Sequence, residues 1–216
     1  MIELFGITLS SQMLFFIFVV TIGILMLVLF RNRKYNLFTI QAIGKELESA
    51  LQPVDQTYTW LGGSVGFNAE YSTEKPLRKV DATVTMLARQ SMLFYPISKL
   101  LFGNDRLFVV LYPSHKTIKR EAHILDHWYY KLRLRTFDNE SALKHSSIQL
   151  NGKTFDIFSS DQAGITMLTA WIQALPCSER VKHVALTPDS GTVYLYMDPK
   201  VETVAPVVRA LKKFVE

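Results

Sequence analysis

One cysteine, Cys177, stands in the 216 residues. A lone thiol rules out a disulfide framework and any Cys-based zinc site, and it suits a reducing compartment. Charge is missing from Met13 to Phe30, eighteen residues in which Thr21 is the only polar side chain. Lys and Arg are missing from the twelve residues before that run, and no Ala-x-Ala-like site follows it. A cleaved signal peptide carries both features, so the run is expected to stay attached. The chain also has no low-complexity tract and no internal repeat.

Catalytic signatures are equally scarce. Gly62-Gly63-Ser64-Val65-Gly66 lacks the G-x-G-x-x-G spacing, the Walker lysine and a following helix, and reads as a bulge or bend in a strand. No G-x-S-x-G elbow offers a serine nucleophile, and Cys177 has no histidine near it in sequence. His123-Ile124-Leu125-Asp126-His127 is the best metal-like spacing, since histidines at i and i+4 share a helix face. Its acid is the short Asp, no third ligand is evident, and the neighbours are Lys and Arg. The expectation is a protein that is not an enzyme, with no metal, no cofactor and no small-molecule substrate.

The uncharged run itself is the strongest positive signal. In a helix it spans roughly 27 Å, close to the hydrocarbon thickness of a bilayer. It has no polar face, unlike a surface helix of a globular domain. Residues 13–30 are therefore expected to be a transmembrane helix in a lipid bilayer. Arg31, Arg33 and Lys34 follow it directly. Basic flanks stay in the cytoplasm, so residues 1–12 are expected outside and the C-terminal part in the cytosol. The bilayer would be the plasma membrane of a prokaryote or the endoplasmic reticulum of a eukaryote.

After the anchor, residues 31–56 comprise the basic flank and an amphipathic helix, Asn36–Gln52, with Leu37, Ile40, Ile43, Leu47, Ala50 and Leu51 on its apolar side. Residues 57–216 are expected to form one α+β domain with antiparallel hairpins. Thr57–Glu70 reads as one bent strand, and Arg78–Arg89 as an alternating one. Met92–Phe102 reads as a short helix and Arg106–Tyr112 as a buried strand. Asn151-Gly152 joins a hairpin, Ser159-Ser160-Asp161 supplies an N-cap for a helix over 162–175, and Val181–Thr187 pairs with Thr192–Met197. A last helix covers Val201–Phe214, with Pro206 a turn or so inside it.

Thr117–Leu132 fits a helix, with an apolar stripe of Ile118, Ala122, Leu125, Tyr129 and Leu132. Its other face would carry Lys116, Arg120, His123, His127 and Lys131, with Lys119 on the flank and Arg133 and Arg135 just beyond. Together with a net charge of +5, this stripe is the candidate contact for ribosomal RNA or anionic lipid.

The order of elements resembles the conserved domain of the calumin family, the coiled-coil-domain-containing, single-pass subunit of the PAT complex. The likeness begins near Phe67–Glu70 and runs through Val80–Arg89. It is clearest at Ala88-Arg89-Gln90-Ser91-Met92-Leu93, and continues through Asp105–Leu111. It resumes at Val181-Lys182-His183-Val184-Ala185-Leu186 and extends through Val193–Met197 and Pro199 to Leu211-Lys212-Lys213-Phe214. The resemblance implies a factor in membrane-protein biogenesis at the ribosome–translocon junction, acting as an intramembrane chaperone with a small multi-span membrane partner. The acidic luminal region and the basic C-terminal coiled coil of that family have no counterpart here, so the chain resembles a minimal form. The rival expectation is an accessory or assembly subunit of an unrelated membrane complex.

Overall fold

The computed structural model describes residues 2–4, 7–115, 118–132 and 140–215. The chain is α+β, with a long N-terminal apolar helix and an antiparallel sheet. Strands β1 (Ile2–Leu4) and β2 (Ile7–Leu9) pair antiparallel ahead of that helix. Helix α1 then runs unbroken from Ser11 to Leu51. Ser10 caps it, its hydroxyl accepting from the backbone N–H of Met13, and Gln52 closes it in the left-handed region. The apolar run and the amphipathic helix predicted separately are thus one rod, because no residue between Phe30 and Asn36 breaks a helix. No residue of its apolar stretch is buried. On its second half Ile40, Ile43, Leu47, Ala50 and Leu51 are buried in the domain core.

The rest forms strands β3 (Asp55–Trp60), β4 (Gly66–Ser72), β5 (Leu77–Thr85), β6 (Arg106–Pro113), β7 (Ala122–Asp126), β8 (Lys144–Leu150), β9 (Lys153–Ser159), β10 (Val181–Thr187) and β11 (Thr192–Met197). They make one antiparallel sheet in the order β3-β4-β5-β6-β11-β10-β7-β9-β8. Helices α2 (Phe94–Phe102), α3 (His127–Lys131), α4 (Gln162–Ala174) and α5 (Val201–Lys212) complete it.

Register decides the two faces. Ala82, Val109, Leu195, Val184, Ile124 and Ile157 lie side by side in one row across the sheet, and all are buried. That face joins one core with α1, α4 and α5. Trp171 of α4 donates its indole N–H to the Ala210 carbonyl of α5 (3.0 Å), and Arg209 of α5 reaches Ser49 of α1 (2.9 Å). The helices so cover one side as a continuous layer.

Two expectations are corrected. Thr57–Glu70 is a hairpin of β3 and β4, not one bent strand, because Gly62 and Gly63 both take positive φ and reverse the chain. The helix expected over 117–132 is the strand β7 followed by the short α3. All five residues of β7 are buried, so its apolar spacing reflects a strand enclosed on both faces, not a helical stripe.

Candidate membrane junction

The site begins with a polar residue on an apolar stripe. Asn36 stands four residues before Ile40 on the face of α1 that enters the core, and it is completely buried. A buried amide must find partners. Asn36 donates to the carbonyls of Ser64 (3.1 Å) and Leu87 (2.9 Å), while its own oxygen accepts from Arg89 (3.0 Å). One turn earlier, Asn32 donates to the Arg89 carbonyl at 2.9 Å.

Arg89 holds the other side. Its guanidinium forks onto Asp105 with two bonds of 2.8 Å, and Asp105 also accepts the Leu87 backbone N–H at 2.8 Å. Burial opposes the guanidinium charge, but Asp105 outweighs it and holds the group above its ordinary pKa. The Tyr35 ring lies 5.4 Å below the same charge. Residues from α1, the β3–β4 turn and both ends of the β5–β6 connection therefore meet in one fixed cluster.

That cluster lies where the uncharged part of α1 ends. Arg31, Arg33 and Lys34 are all exposed there, with the Lys34 ammonium 5.5 Å from the Phe38 ring. Farther along the same helix, a groove of about 350 Å³ opens between α1 and β3, lined by Ile40, Gly44, Glu48, Tyr58, Trp60 and Phe67 among others. Inside it the Tyr58 hydroxyl donates to Glu48 (2.5 Å) and lies 3.1 Å from the Tyr71 hydroxyl. Burial and the Glu48 bond push the Tyr58 phenol up to about 12, so it stays protonated.

The predicted basic stripe is not assembled. Lys119 is exposed in the loop before β7, and Arg120 beside it contacts Asp161 at 3.4 Å. Lys131 ends α3, beyond the opposite end of β7, 5.9 Å from the Trp128 ring. The strand between them spans about 13 Å at its usual rise. Lys116, Arg133 and Arg135 lie outside the described residues.

His123 and His127 do not share a helix face, since one is in β7 and the other begins α3. His123 stacks on His183 with ring centres 5.7 Å apart, and burial lowers its pKa against the pull of Glu121. His127 Nδ1 and His145 Nε2 instead flank the buried Asp156 carboxylate at 2.7 and 2.8 Å. Asp126 is held by Lys153 (2.9 Å), Lys182 (3.4 Å) and the Tyr129 N–H (3.1 Å).

Asn32, Asn36, Arg89 and Asp105 were not singled out as site residues from sequence. The available signal was Asn36 itself, which interrupts the apolar positions 36, 40, 43 and 47. No protein-family model and no curated protein matches this chain.

Proposed function

We propose that the chain is a single-pass membrane protein whose α+β domain lies in the cytosol and which serves membrane-protein biogenesis without catalysing a reaction. In this reading residues 13–30 cross the bilayer, Arg31, Arg33 and Lys34 hold the cytosolic side, and the domain works at the ribosome–translocon junction. A small multi-span protein is the partner of the span within the bilayer, in an intramembrane chaperone complex like that of the calumin family.

The observation that carries the proposal is the unbroken helix locked into the domain by Asn36, Arg89 and Asp105. A flexible tether would merely retain a domain near a membrane. A rigid rod fixes the domain's height and rotation relative to whatever the span touches. The segment Ala88–Leu93, where the likeness to the calumin family is clearest, contributes Arg89 to this lock. Among the described residues Lys119 and Lys131 are the exposed cations left from the predicted stripe, and contact with ribosomal RNA rests on them as separate points.

Purification of the tagged full chain in mild detergent, washed in rising salt and read by mass spectrometry, tests the reading. Ribosomal and translocon subunits are expected to leave as salt screens phosphate contacts, while a small multi-span protein stays. An unrelated membrane complex held firmly through the wash would replace the proposal with an accessory-subunit role.

A further inference from the structure

The connection from β5 to β6 leaves the sheet and returns to it at one place. Leu87 and Arg89 near its start and Asp105 at its end share a single hydrogen-bonded cluster. Gln90 bonds Asn36 (3.4 Å) and Asn104 bonds Asp198 (2.9 Å), and the residues between them project from that point, with α2 forming most of the projection. Ser91 accepts from the Phe94 N–H at its start, and Gly103, with φ of 71°, ends it.

α2 has no buried residue. Tyr95 and Ser98 are its half-buried positions, one helical turn apart, so they mark the side toward the domain. Leu93, Phe94, Ile97, Leu100, Leu101 and Phe102 are exposed, Leu93 by 81% and Leu100 by 87%. A helix meant for water would turn such residues inward. A contiguous apolar surface of this kind marks a contact with lipid or protein.

Position selects the occupant. Asn32, bonded to the Arg89 carbonyl, lies two residues past Phe30, or about 3 Å along the helix axis. A span that leaves the hydrocarbon at Phe30 therefore sets the base of this projection at the boundary of the bilayer. The β3–β4 turn shares that end of the sheet, fixed through Ser64, and exposes Leu61 and Val65 there. Basic residues surround the patch: Lys99 within α2, Arg106 over the Phe102 ring at 4.4 Å, and the flank on α1. Apolar side chains rimmed by cations suit acyl chains beneath anionic headgroups.

We infer that α2 is an in-plane interfacial helix, its exposed apolar side immersed in the leaflet from which α1 emerges. The occupant of the patch is lipid. The inference needs the span of α1, and it is independent of any role in biogenesis. Its consequence is attachment at two points, which fixes the tilt of the domain as well as its height.

The test uses the full chain with Cys177→Ser and a single new cysteine at Phe16→Cys, Leu100→Cys or Thr192→Cys, each carrying a fluorophore. The proteins are reconstituted in phosphatidylcholine–phosphatidylglycerol vesicles with and without brominated acyl chains. Labels at 16 and 100 are expected to lose fluorescence several-fold in brominated lipid. The label at 192, at the far end of the sheet, should respond to aqueous iodide instead. Adding Leu101→Asp should cut the lipid quenching at 100 severalfold without moving the thermal melt, because the Leu101 side chain is exposed. A label at 100 that iodide reaches as freely as the one at 192 overturns the inference, while lipid quenching at 16 keeps the span. Shielding at 100 from both quenchers also overturns it, since protein would then cover the patch.

Discussion

Asn36 gives the clearest case of one side chain joining two parts of the chain. Its amide pairs two carbonyls from separate loops, and its oxygen steadies the guanidinium that forks onto Asp105. Asn36→Ala leaves those groups buried without their partner, a cost of about 1–3 kcal/mol. For a chain of this size each kcal/mol lowers the melting temperature by about 2–4 °C. Asn36→Leu restores apolar volume without the bonds, so it should be no more stable than Asn36→Ala. Thermal unfolding of the full chain in detergent reads both variants, and wild-type stability in Asn36→Leu would show that packing alone holds the junction. Asp126 supports a second prediction at this scale. Burial raises its pKa, but the Lys153 bond, the Tyr129 N–H and Lys182 together hold it below the ordinary carboxylate value. A depressed folded-state pKa means stability that is complete above about pH 4 and lost as pH falls through the folded value. His123 acts in a different window: burial disfavours its charged form, so stability starts to fall near pH 6.5, where an unfolded histidine begins to bind protons. Asp126→Asn should cost about 1–3 kcal/mol at neutral pH and flatten the lower limb, leaving the upper one. Denaturant melts of wild type and variant between pH 3 and about 8 separate the two limbs, and an unchanged lower limb would remove Asp126 from the account.

At the scale of elements, local chemistry decided what was legible. Asn151-Gly152 and Pro188–Gly191 mark tight turns, and both hairpins are where those residues put them. Asp161 accepts the Gly164 N–H at 2.6 Å and starts α4 as a capping residue should. Pro206 lies inside α5 without ending it. The failures have one physical source, the ambiguity of short apolar runs. Ala122-His123-Ile124-Leu125-Asp126 sits between β10 and β9, so its hydrophobic residues face both ways and mimic helical spacing. His123 looked like part of a solvated face for the same reason, and Asp126 looked like the acid of a metal-like spacing. They are in fact buried and partnered, by His183 and by the two lysines. The candidate membrane junction was half legible. Its basic flank and apolar run are local features, whereas the Asn36–Arg89–Asp105 cluster joins residues more than fifty positions apart. Sequence shows that Asn36 interrupts a stripe, and only the fold shows which loops it ties.

The whole molecule is best understood as a lever with a fixed elbow. Forty-one residues of helix run from the apolar segment into the core, so rotation at one end is rotation at the other. In the proposed topology three cations just past Phe30 decide which end meets the cytosol, because residues 1–12 hold no Lys or Arg. Neutralising them by Arg31→Gln, Arg33→Gln and Lys34→Gln removes that bias without touching the junction, since all three side chains are exposed. Lys45 follows within reach of the same rule, and the cations of the α2 region join it only once the domain has folded. The expected outcome is therefore a mixed population, not a clean inversion. A C-terminal tag should be fully open to protease added from the cytosolic face in wild type and partly protected in the triple variant. Uniform accessibility in the variant would mean that folding of the domain, not the flank, holds the orientation. Protection already present in wild type would place the domain on the other side of the membrane, and a cytosolic role at the ribosome would fall with it.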